Sequence, residues 1–168
     1  MAARKRSSGN AGLTHLDAAR RPTMVAVGAK TVTHRVAEAE ALLALPAVVA
    51  RALRDSGHRT AKGPVFDTAI IAGVQAAKRT AELIPFCHPL PIEHCSVQIA
   101  AGRGNRLRIR CRVETHHKTG VEMEALTGAT VAALTVYDMC KALSHEIRIV
   151  EVRLLHKSGG RRRVGRDS

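Results

Sequence analysis

The sequence predicts an α+β fold of ferredoxin-like, split β-α-β order, an antiparallel sheet carrying its helices on one face. Three observations predict it. Residues 92–100 and 107–113 alternate apolar and polar side chains, as half-buried strands do, and Ala-Gly-Arg-Gly-Asn between them is a hairpin turn. Residues 122–143 form a long helical pattern with no charge from Ala125 to Val136. Pro46, Gly57 and Pro64 stand where helices start and stop.

In chain order, residues 24–27 and 31–45 read as extended, and the pattern of the second stretch suits strand or helix alike. A helix follows over 46–56, from Pro46 to Gly57. A loop carries Lys62 and Gly63, and Pro64 opens a second helix that runs to about residue 83. Pro85, Pro89 and Pro91 keep the next stretch irregular. The hairpin, the long helix and a last strand over 147–155 complete the order. Setting aside 24–27 and counting the first two helices as one crossover, this is the split β-α-β arrangement. Such a sheet leaves one face open, and the apolar character of its strands favours a partner subunit over solvent there. Residues 1–12 and 158–168 are rich in Arg, Ser and Gly and read as flexible basic arms around a single domain, 13–157.

The net charge is +13, but seven of the 27 basic residues and one of the 14 acidic ones lie within 1–7 and 161–168. The body therefore keeps +7, which favours an anionic partner. Only Tyr137, Phe66 and Phe86 are aromatic, too few for base-stacking platforms, so nucleic acid is an unlikely partner. No apolar run is long enough to span a membrane, and the basic start lacks the apolar core of a signal peptide. Cys87, Cys95, Cys111 and Cys140 form no Cys-x-x-Cys pair and read as reduced thiols of a cytoplasmic protein.

Four stretches carry chemistry-bearing residues. In the long helix, Asp138 and Lys141 lie three apart on one face, and Glu122 and Glu124 lie at the start. Charges on so buried a helix are costly unless paired or used. They form either a structural ion pair with two dipole-favoured carboxylates, or a reacting site. Leu-Ile-Pro-Phe-Cys-His-Pro-Leu (83–90) holds His88 between prolines, where it can meet phosphate, move a proton, or simply bond to backbone. Lys62 precedes a glycine and a helix start, a favourable place for an anion, although the P-loop spacing is absent. Lys157 ends the last strand before two glycines and either reaches an anion or stays a surface lysine. A zinc site from Cys87, His88, His94 and Cys95 is disfavoured, because sequence neighbours on extended chain point to opposite faces.

Three of these stretches, LIPFCHPL, TGVEMEALTGATVAALTVYDMCKAL and RLLHKSGG, together with the opening LTHLD and the AAKRT of the second helix, closely resemble the MoaC family, the cyclic pyranopterin monophosphate synthases. The likeness covers about residues 13–160, with its motifs in order. It implies a ferredoxin-like fold, a homohexamer built as a trimer of dimers, and no cofactor. It also implies conversion of 3′,8-cyclo-7,8-dihydro-GTP, supplied by a radical S-adenosylmethionine enzyme, to cyclic pyranopterin monophosphate with loss of pyrophosphate, in molybdenum cofactor synthesis. By this resemblance Asp138, Lys62 and Lys141 are catalytic. Phe86, Cys87, His88, Glu122, Met123, Glu124, Lys157 and Arg35 line the substrate pocket, Arg35 in diverged surroundings. Two departures stand out: Pro64 replaces an acidic residue common after the Lys-Gly of the family, and Phe86 replaces a common Leu.

Overall fold

Alternation decides the stretch whose period was open. Ala37, Ala39, Ala41 and Leu43 are all fully buried, a period of two, and residues Thr33–Ala44 form strand β1. A computed structural model of the chain describes residues 21–160 and 162–165. The arm read over 1–12 and the LTHLD segment lie outside the described residues, and 24–27 lies outside the sheet.

Helix α1, Ala47–Asp55, starts behind Pro46 and buries Val49, Ala50 and Leu53. It stops at Gly57, whose φ of +62° continues no helix, while the Gly57 and His58 amides donate back to the Arg54 and Leu53 carbonyls. Two short strands, β2 (Arg59–Thr60) and β3 (Gly63–Pro64), make a ribbon with Lys62 at its turn. The helix expected from 64 to 83 is two. α2 covers Val65–Lys78 and α3 covers Thr80–Leu83, with Arg79 between them at φ −111°. The buried Thr80 hydroxyl donates to the carbonyls of Ala76 and Ala77, competing with the helical ladder at that point.

Strands β4 (His94–Gly102) and β5 (Arg106–His117) flank the expected hairpin, whose Gly104 and Asn105 take positive φ. Helix α4 spans Glu122–Cys140 and strand β6 spans Arg148–Ser158. The order across the sheet is β4-β5-β1-β6, every neighbouring pair antiparallel, which is the split β-α-β topology. Past Ser158, Val164 exchanges two backbone hydrogen bonds with Lys157.

α2 and α4 pack on the same face of the sheet and on each other. Two glycines permit the approach of the helices. A Cβ on Gly73 would sit 2.9 Å from the Gly128 carbonyl oxygen, and a Cβ on Gly128 would sit 2.5 Å from the Cys111 sulfur. Leu107, Ile109, Cys111 and Val113 of β5 meet the helices from the sheet side.

The other face does not have the apolar character expected of it. The apolar side chains of β5 and most of those of β1 are spent on the helix side, leaving Val36 and Leu42 on the other face, where alternation sets Arg106, Arg108, Arg110 and Arg112. Glu40, only 5% exposed, accepts from Arg110 and Arg153 and forms an ion pair with Arg108, each at 3.2 Å. Strand hydrophobicity thus gives no ground for a partner on this face. Among the described residues no helix is long and apolar enough to cross a membrane.

Candidate active site

The chemistry-bearing residues gather at the two ends of α4. At its C-terminal end, Lys62 reaches across from the β2–β3 ribbon. Its Nζ lies 2.7 Å from Asp138 Oδ2 and 2.9 Å from the Asp138 carbonyl oxygen. Lys141, one helical turn beyond Asp138, puts its Nζ 2.8 Å from the other carboxylate oxygen, Oδ1. Each oxygen of one carboxylate thus carries one ammonium. The donors from Lys141 and then Lys62 hold the Asp138 pKa down, to about 2, and Asp138 in turn raises that of Lys141.

The sequence places Asp138 and Lys141 on a buried helix, but the structure does not bury their charges. The side chains of Asp138, Lys141 and Lys62 are 55%, 46% and 48% exposed. Val136, Met139 and Cys140 keep one face of the helix end in the core, and Asp138 and Lys141 project from the other face. Even within the uncharged run, Leu134 is exposed. The desolvation cost expected of a buried pair therefore does not apply; what remains is an open, ordered triad of charges accessible to an anion.

At the N-terminal end of α4, Glu122 meets Lys157 of β6 at 2.5 Å. Lys157 is set there by its register opposite Ala37. Gly159, at φ +86°, lets the chain turn closely over the His34 carbonyl just beyond it, a path no side chain would fit. Arg35 of β1 donates from Nε to the His117 carbonyl and from Nη2 to the Lys118 carbonyl, which orders the loop into α4. Glu124, 4% exposed, has its pKa raised to about 7, first by burial and then by the nearby Glu122 charge. Burial also raises the Cys87 pKa, with the Glu124 charge second. Met123 and Phe86 are exposed, at 37% and 41%. His88 is half-buried in the irregular segment.

α4 separates these groups. From Glu122 to Asp138 the axis runs about 24 Å at ~1.5 Å per residue. Within one chain, Lys62, Asp138 and Lys141 form one cluster, and Arg35, Cys87, Glu122, Glu124 and Lys157 belong to another end. Two residues of the second end escaped the sequence reading. Lys118 Nζ donates to the Gly28 carbonyl at 2.7 Å, and the buried Nδ1 of His117 has no hydrogen-bond partner among the described residues. Their sole sequence signal is position, directly before the Lys-Thr-Gly turn into α4.

All four cysteines are free. Cys95 shares a thiol hydrogen bond with Cys111. Among the described residues no three His, Cys, Asp or Glu side chains are arranged to hold a metal ion.

The MoaC family model matches residues 24–160. A protein of Xanthomonas campestris pv. campestris (strain B100), named cyclic pyranopterin monophosphate synthase, is 59% identical over 156 residues, covering 93% of this chain and 94% of that one. Its namesake from Xanthomonas oryzae pv. oryzae is 58% identical over 158 residues, covering 94% and 96%. Molybdenum cofactor biosynthesis protein 1 of Dictyostelium discoideum is 44% identical over 156 residues, covering 83% of this chain and 25% of that protein. With its family match spanning both ends of α4 and both clusters, this chain belongs to the MoaC family.

Proposed function

We propose that this chain is a cyclic pyranopterin monophosphate synthase, a lyase of molybdenum cofactor synthesis. It converts 3′,8-cyclo-7,8-dihydro-GTP to cyclic pyranopterin monophosphate and releases pyrophosphate. The observation that carries the reading is the Asp138 carboxylate held between Lys62 and Lys141, in a chain 59% identical to a synthase of that name over 93% of its length.

In the free protein Asp138, at a pKa of about 2, is a fixed anion and a poor base. An arriving triphosphate competes for both ammoniums. As they turn to phosphoryl oxygens, the carboxylate loses the donors that held its pKa down and its basicity rises. Binding of substrate thereby produces the base that the free site lacks. Closure of the cyclic phosphate forms a bond from a sugar hydroxyl to the α-phosphorus and breaks the bond to the β-phosphoryl group. Asp138 takes the hydroxyl proton, and Lys62 and Lys141 stabilise the departing pyrophosphate. Glu124, half protonated near neutrality, supplies a proton to the ring rearrangement, with Cys87, His88, Phe86 and Met123 lining the base. Lys157, Glu122 and Arg35 hold the remainder of the substrate.

The ~24 Å along α4 is too long for one nucleotide to engage both clusters of one chain at full contact. This supports assembly of each site from two chains, the C-terminal end of one α4 against the N-terminal end of another, within the hexamer that the family resemblance implies. Exposed Ile71 of α2 and Leu134 of α4 offer apolar area for such contacts. The substrate comes from a radical S-adenosylmethionine enzyme in the cytoplasm.

Incubation of the protein with 3′,8-cyclo-7,8-dihydro-GTP, followed by pyrophosphate release and mass spectrometry of the pterin, tests the reading. Stoichiometric release with product formation is expected. Binding without turnover by a hexameric preparation would overturn it.

A further inference from the structure

We propose that the open face of the sheet, at its hairpin end, binds a small polyphosphate anion through Arg103, Arg106 and Arg108. None of these residues belongs to either cluster around α4, and the inference goes beyond the synthase activity. An open cavity of about 510 Å³ lies there, lined by Leu42, Gly102, Arg103, Arg106 and Arg108.

The charges on this face are unevenly matched. Arg112 has Glu114 at 2.9 Å, and Arg110 has Glu38 at 3.6 Å as well as Glu40. Among the described residues Arg108 has only Glu40, whose single carboxylate it shares with Arg110 and Arg153. Arg103 and Arg106 have no ion-pair partner among the described residues. Positive charge therefore accumulates toward the hairpin, where the cavity is. Arg106 and Arg108 stand two residues apart on β5, about 6.8 Å at ~3.4 Å per residue, on one face. Two like charges lining one cavity repel one another, and an anion between them removes the repulsion.

The chemistry of the donors selects the ligand. Guanidinium forks match phosphoryl oxygens two at a time, and three forks around one cavity provide for more than one phosphoryl group. Leu42 gives the cavity an apolar floor. Tyr137, Phe66 and Phe86 belong to α4, α2 and the segment after α3, and the stacked imidazoles of His34 and His116 lie at the far end of β1 and β5, so no ring beside this cavity can stack a base. The site thus fits a short phosphate chain, inorganic or terminal on a small molecule, in preference to a nucleic acid strand.

Calorimetric titration of the full-length protein with inorganic pyrophosphate and tripolyphosphate tests the proposal. The synthase site also takes pyrophosphate, so the measured quantity is the number of sites per chain. The wild type should show two classes. Arg103→Gln/Arg106→Gln should lose one class or weaken it by roughly tenfold or more, with turnover on the cyclic GTP derivative unchanged. Lys62→Ala/Lys141→Ala should keep that class and lose the other. Arg103→Gln alone, at an exposed turn, gives the same direction of change should the double variant fold poorly. An isotherm for Arg103→Gln equal to that of the wild type overturns the proposal. So does a change in molecular mass with binding intact, which would make this face a contact between chains.

Discussion

Replacing Glu124 with Gln should make the protein more stable above neutrality and slower at its chemistry. The Glu124 carboxyl is nearly inaccessible, and its pKa stands at about 7 in the folded protein against an ordinary 4.5. Between those values the folded chain binds a proton that the unfolded chain has released. The free energy of unfolding must then fall as pH rises from 4.5 to about 7, and the loss is complete above that range. At ~1.4 kcal/mol per pH unit the gap amounts to about 3 kcal/mol. Gln keeps the shape of the protonated acid and cannot ionise, so Glu124→Gln escapes this loss. Urea unfolding of both proteins at pH 5 and pH 8 measures it. The variant should gain most of the ~3 kcal/mol over the wild type between the two pH values, while turnover falls by ~10²-fold. A stability difference that is the same at pH 5 and pH 8 would show that Glu124 is not held protonated, and would remove it as a proton donor.

Asp138→Asn should lower single-turnover rates ~10²-fold with little change in melting temperature, since the triad it belongs to is exposed; an early melt with normal turnover per folded molecule would leave only an ion-pair role. Gly128→Ala should destabilise the protein by roughly 1–3 kcal/mol in urea, because its Cβ would meet the Cys111 sulfur at 2.5 Å; a variant as stable as wild type would disprove the close packing of α2, α4 and β5. Lys62→Ala and Glu122→Ala should each be inactive alone, yet regain part of the activity when mixed chains reassemble, as sites built from two chains require; no recovery in a hexamer shown by mass to contain both would refute the shared site.

The fold was legible where a periodic pattern met a stop signal. β4, β5 and their hairpin follow from alternation around Ala-Gly-Arg-Gly-Asn, and α1 from Pro46 and Gly57. β1 was ambiguous because Ala-Glu-Ala-Glu-Ala-Leu-Leu has both high helix propensity and strict alternation, and pairing with β5 and β6 on both sides decided in favour of strand. The break between α2 and α3 was invisible, since Lys-Arg-Thr-Ala-Glu contains no Gly or Pro and the break rests on one buried threonine hydroxyl. The charged face was missed for another reason. Counting apolar residues in a strand does not divide them between its faces; the alternation of β5 does, turning Arg106 to Arg112 one way and Leu107 to Val113 the other.

The candidate site residues are named from long, ordered motifs, whereas their burial and grouping were not legible in the sequence. The uncharged run of α4 suggested charges buried at its end, yet in the last turn only the face carrying Val136, Met139 and Cys140 is buried, and Asp138 and Lys141 lie on the other. Exposure changes what Asp138 can be. A buried pair would be locked by desolvation, whereas a carboxylate in water, held between two mobile ammoniums, can yield both of them to a phosphate. The same 19 residues that place Glu122 and Asp138 in one motif hold them a helix length apart. On the proposed reading, in which both clusters serve one substrate, a single chain cannot close the site by bending, because α4 holds them apart. Two copies running antiparallel can close two such sites at once, and this geometry is the physical reason for the reading to require an oligomer.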